Sequence, residues 1–95
     1  MLLRKPLEKD KVAAGKVFIQ PIYNGDLVTV SLLTVYPHSK IAEHPHKEDC
    51  EWYLNIQTGE SHFCDIGGAH GYANDTDKKQ LLLSVKLKKE TESET

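Results

Sequence analysis

The chain is poor in several things, and each shortage removes a class of explanation. Only two cysteines occur in 95 residues, Cys50 and Cys64, without C-x-x-C spacing, so sulfur-rich zinc sites and dithiol redox motifs drop out. The segment Met1-Leu2-Leu3-Arg4-Lys5-Pro6 has no apolar stretch of signal-peptide length, and the two thiols are expected to be reduced in a cytoplasmic protein. No apolar run approaches the ~18–20 residues of a membrane span. Basic residues number 12 against 14 acidic ones, for a formal charge of −2, with no basic cluster outside the tail. A nucleic-acid partner needs a positive face, and none is visible. No stretch has a convincing helical period, and there is no internal repeat, nucleophile elbow or phosphate loop.

What the chain has is short strands. Hydrophobic residues at 39% and charged residues at 27% are an ordinary globular mix. One domain over 1–95 is expected, with a charged arm over 1–11 and a polar tail over 88–95. A domain this small buries only roughly 60–65% of its unfolded surface, so a metal, a closed sheet or a second protomer would help it. Val17-Phe18-Ile19 reads as a short strand stopped at Gln20-Pro21, and Asn24-Gly25 as a tight turn. Leu27 to Tyr36 is apolar on both faces, as in a strand covered on both sides. Over Glu51 to Gln57 the alternation sets Trp52, Leu54 and Ile56 against Glu51, Tyr53, Asn55 and Gln57. Leu81, Leu83, Val85 and Leu87 alternate with Leu82, Ser84, Lys86 and Lys88, which reads as one buried and one wet face. Strands this short, bounded by Gly, Pro or Asn, predict an all-β sandwich or barrel.

The chemistry gathers around one segment. His44 and His46 are two residues apart, so on extended chain both imidazoles leave from one face. Glu51 opens the next strand, and His70 begins another short one. Three neutral imidazoles and one carboxylate suit a divalent first-row metal with positions left over for water or substrate.

These residues resemble the cupin family. His44-Pro45-His46, four residues, then Glu51 match the core of its first motif, G-x5-H-x-H-x3,4-E-x6-G. Gly59, Gly67, His70 and Asn74 match every spacing of the second, G-x5-P-x-G-x2-H-x3-N, with Asp65 in place of proline. The resemblance implies a small antiparallel double-stranded β-helix, a cupin-like barrel or sandwich. It also implies that His44, His46, Glu51 and His70 point into the lumen around one divalent ion: iron, manganese, zinc or nickel.

Two departures matter for the fold. His38 stands where the first motif has its opening glycine. The two motifs also collide, so that Gly59 must close one and open the other, and a hairpin's worth of chain is missing between Asn55 and Thr58. A barrel shortened in this way has an exposed edge. A second protomer is expected to cover it, giving a homodimer that exchanges the amino-terminal arm. The apolar stripe of Trp52, Leu54 and Ile56 is expected to be core or a subunit contact.

A third departure lies in the lumen lining. Tyr53 and Asn55 either face water, moved by the deletion, or hydrogen-bond a small polar ligand beside the metal. Tyr72 is a further candidate for that role. Three functions stay open at this point: a metal-dependent enzyme, a ligand-binding module, and a metal-free module kept for assembly. No membrane and no nucleic-acid partner is expected for any of them.

Overall fold

The computed structural model describes residues 17–88, and every regular element among them is a β-strand. They are β1 (Val17–Asn24), β2 (Val28–Val35), β3 (Ser39–Pro45), β4 (Asp49–Asn55), β5 (Ser61–Cys64), β6 (Ala69–Asn74) and β7 (Gln80–Lys88). All pairings are antiparallel, in a five-stranded sheet of order β1-β2-β7-β4-β5 and a two-stranded sheet β3-β6. No helix among the described residues is long and apolar enough to cross a membrane. The 1–11 arm and the tail beyond Lys88, the last residue of β7, lie outside the described residues.

The missing stretch between the motifs has a definite place in this topology. β4 runs into β5 through the five residues 56–60, without visiting the small sheet. Two strands therefore face five. The link is tight because Gly59, at φ 78°, lets the chain reverse while its N–H donates to the Asn55 carbonyl at 2.8 Å.

Pro21 does not end β1 as the sequence suggests. β1 is an edge strand with a register irregularity between Pro21 and Tyr23, and an edge bulge tolerates a residue that cannot donate to the ladder. β2, near the middle of the sheet, is buried continuously over Ser31–Val35, as its two-faced apolar sequence predicts. The core forms where Ile41 and Tyr72 of the small sheet, with Val17, pack against Leu33, Val35, Tyr53 and Leu82.

The alternation in β7 is real, but its faces are opposite to the simplest reading. Leu82 and Ser84 are buried, Leu81, Leu83 and Val85 are half-buried, and Leu87 is exposed. Register explains this, since Ser84 pairs with Ser31 and Tyr53, and Leu82 with Leu33 and Asn55. The inner face is a mixed polar lining, and the apolar row lies outside with Trp52, Leu54 and Phe63.

Candidate metal centre

The small sheet brings two of the histidines together by pairing. His44 on β3 lies opposite His70 on β6. The register passes from Ile41↔Tyr72 to His44↔His70, three steps on β3 against two on β6, so β3 carries one extra residue. Ser39 and Ile41 turn inward before this bulge, and His44 and His46 turn inward after it. A bulge changes the parity of a strand. Without it the same spacing would send both imidazoles to the outer face. Gly71 permits the distortion: a Cβ there would sit 2.7 Å from the Ile41 carbonyl oxygen and 3.0 Å from the Glu43 nitrogen.

His46 follows β3 directly, and its backbone clasps the Gly67-Gly68 turn. Its N–H donates to Gly68 at 2.8 Å, and its carbonyl accepts from Gly67 at 2.6 Å. Glu51 arrives from the opposite sheet, on the inner face of β4. One ligand atom from each of His44, His46, Glu51 and His70 lies within 4.8 Å of the others. Glu51 Oε1 is 3.3 Å from His44 Nε2, 3.1 Å from His46 Nε2 and 2.9 Å from His70 Nε2, and the last two nitrogens are 2.9 Å apart.

The far side of each ring is occupied as well. His46 Nδ1 meets the Asp49 carboxylate at 2.5 Å, and His44 Nδ1 meets the Ala42 carbonyl at 2.9 Å. Both partners can only accept, so each Nδ1 donates, and Nε2 is the nitrogen each ring has left for Glu51 or for a metal. His70 Nδ1 meets His62 Nε2 at 2.9 Å, and the Tyr53 ring stacks on His70 at 4.6 Å. The carboxylate and the three Nε2 atoms crowd within about 3 Å, an arrangement that needs protons or a metal cation among them. Donors about 2.1 Å from one ion and at right angles around it are also about 3 Å apart. The donor set fits a divalent first-row metal with positions to spare, and the Nδ1 partners are those that orient metal-binding imidazoles.

Electrostatics reinforce the anionic centre. Burial opposes the charge on Glu51, but the Ser84 hydroxyl, donating to Oε2 at 2.5 Å, the His70 and His44 rings and the Lys86 ammonium outweigh it. The carboxyl is lowered to about 2. Burial pushes the Tyr53 hydroxyl up, helped by the Glu51 charge. His70 is shifted down, chiefly by burial and against the pull of Glu51. The His44 side chain is 34% exposed, against 3% for His46 and 6% for Glu51. Access to the cluster is therefore from the His44 side, where a cavity of about 370 Å³ opens between the sheets.

Of the three residues expected to meet a ligand, Tyr53 lines this cavity and a second, small hollow of about 80 Å³, while Asn55 and Tyr72 line the hollow alone. Asn55 and Tyr72 also hold the frame together. Asn55 Oδ1 accepts from the Gln57 and Thr58 amides, its Nδ2 donates to the Tyr72 oxygen at 3.1 Å, and the Tyr72 hydroxyl donates to Gln80. Asn74 is fully buried and donates to the carbonyls of Val35 and Lys78 at 2.9 and 2.8 Å, tying the end of β6 to the end of β2.

Sequence reasoning passed over Asp49, His62 and Ser84. Asp49 lies three residues past His46 in what reads as a solvated loop, and no local signal marks it. His62 and Ser84 enter only by pairing opposite Tyr53 on either side of β4.

No protein-family model matches the chain, and no curated protein matches it by sequence. Solved structures do match its fold. A Thermus thermophilus protein, TT1209, superposes with a TM-score of 0.73 at 19% identity, covering 79% of this chain and 86% of the other. A conserved Klebsiella pneumoniae protein with a double-stranded β-helix domain gives 0.73 at 16% identity, covering 82% of each chain. A cupin superfamily protein from Desulfitobacterium hafniense gives 0.69 at 15% identity, covering 82% and 83%. The chain has the cupin fold, in a small all-β form.

Proposed function

We propose that this protein binds one divalent first-row metal ion through His44, His46, Glu51 and His70 and receives a small molecule beside it. The observation that supports this most is the hydrogen bonding of the cluster: the His44 and His46 Nδ1 atoms donate on the far side, leaving both Nε2 atoms turned toward a buried carboxylate and available to a metal. A bound ion with open positions would act as a Lewis acid toward that molecule. The protein's own contribution is to fix the imidazoles from behind through Asp49, Ala42 and His62, and to hold Glu51 through Ser84. Entry past the half-exposed His44 leaves His46, Glu51 and His70 shielded from bulk water.

Elemental analysis of protein purified without added metal, then loaded with zinc, tests the reading. About one equivalent is expected in the wild type and none in His70→Ala. A wild-type protein that takes up no metal sinks it.

A further inference from the structure

The large cavity has a chemical polarity that the cluster alone does not explain. Val17, Leu33 and Ile41 make one end apolar, while Thr29, Ser31 and Lys86 make the other polar. The sheet register builds this pattern. Thr29, Lys86 and Glu51 form one rung across β2, β7 and β4, and Ser31, Ser84 and Tyr53 form the next. Lys86 therefore stands on the inner face beside Glu51, the only carboxylate lining the cavity among the described residues. Both oxygens of that carboxylate already have closer partners in Ser84 and the imidazoles. Lys86 has no ion pair within 4 Å among the described residues, and Lys40 adds a second cationic residue to the lining. Lys86 is half-buried, and with the Glu51 oxygens committed to Ser84 and the imidazoles its ammonium is left to answer an anion in the cavity.

We propose that the cavity takes a small monocarboxylate with an apolar body. Its acid group lies at Lys86, next to the His–Glu cluster, and its hydrocarbon part lies over Leu33 and Ile41. This rests on the reading of the cluster as a cation site, because a bare Glu51 would repel the same anion. A volume of about 370 Å³ is at the small end of ligand sites.

The test titrates zinc-loaded protein with hexanoate and with neutral hexanamide by calorimetry. Hexanoate is expected to bind at least about tenfold more tightly, and Lys86→Gln to remove about tenfold of that preference while Lys86→Arg keeps it. Equal affinity for the two probes overturns the proposal, as does a preference unchanged in Lys86→Gln. If Lys86→Gln no longer takes up zinc, amide shifts of the wild type decide. Changes around Lys86 larger for hexanoate than for hexanamide support the site, and equal changes overturn it. Failure of zinc uptake by the wild type removes the metal reading and this proposal together. Zinc uptake without a Lys86-dependent preference removes the proposal alone.

Discussion

The two sheets of this molecule are held by different forces. The five-stranded sheet owns the buried apolar side chains, Leu32, Leu33, Val35, Tyr53, Cys64 and Leu82. In the two-stranded sheet, with the His46 that follows it, the buried side chains are Ser39, His46, His70 and Asn74, every one polar. Hydrophobic burial stabilises the first in proportion to area, whereas the second, beyond the packing of Ile41 and Tyr72, depends on hydrogen bonds and on whatever neutralises the His–Glu cluster. A two-stranded ribbon is marginal by itself in water. The small sheet therefore carries most of the ligand set while resting on the larger one through polar contacts and the half-buried Ile41 and Tyr72. In such an arrangement a bound ion is a staple between sheets as well as a chemical centre.

The largest expected effect breaks this comparison directly. Zinc at about a thousandfold excess over its Kd should stabilise the protein by about 4 kcal/mol. Amide exchange should slow more in β3 and β6 than in β2 and β7, and His46→Ala should abolish both responses. Uniform slowing across both sheets would show that the ion does not staple the small one.

Acid should produce a slightly smaller effect on metal-free protein. Glu51 has a folded pKa of about 2 against an ordinary 4.5, so the unfolded chain takes up its proton first. Stability from this group is complete above about pH 4.5 and is lost as the pH falls toward 2, by roughly 3 kcal/mol. His70 acts in the same direction. Its folded pKa lies under the ordinary 6.5, so stability declines once the unfolded chain begins to protonate below that pH. Urea midpoints measured from pH 7 to pH 3 should fall, with β3 and β6 losing protection first. A midpoint flat across that range contradicts the assignment, and Glu51→Gln should flatten its lower part.

The smallest effect sharpens the comparison at the entrance to β3. His38 has φ 58°, in the left-handed region, where a side chain costs about 1–2 kcal/mol relative to glycine. Its ring meets the exposed Asp77 carboxylate at 2.7 Å, a surface contact that offsets little of this. His38→Gly should raise stability by up to about 1 kcal/mol in urea unfolding and leave zinc uptake unchanged. A loss of stability would mean that the His38–Asp77 contact outweighs the backbone strain.

That residue also shows how much was legible in advance. The first motif has glycine at this position, and the backbone keeps the glycine-like conformation with histidine in place. The spacing of His44, His46, Glu51 and His70 identified the cluster, and the collision of the motifs identified a missing hairpin. The strand alternations in β4 and β7 were legible too, but not which face is inner. Leu81, Leu83 and Val85 look like a core row, yet Ser84 and Leu82 face the small sheet because their cross-strand partners do. Periodicity gives two faces, and only pairing says which one is covered.

By itself the sequence determined five of the seven strands, β3 and β5 being the exceptions, together with the residue types able to hold a metal and the order in which they occur, since all of these depend on local spacing. Tertiary structure decided their use. A single bulge in β3 turned His44 and His46 inward, and cross-strand register recruited His62, Ser84 and Lys86 from distant segments. The physical reason is that side-chain direction in a strand follows parity, and parity is set by partners far away in the chain.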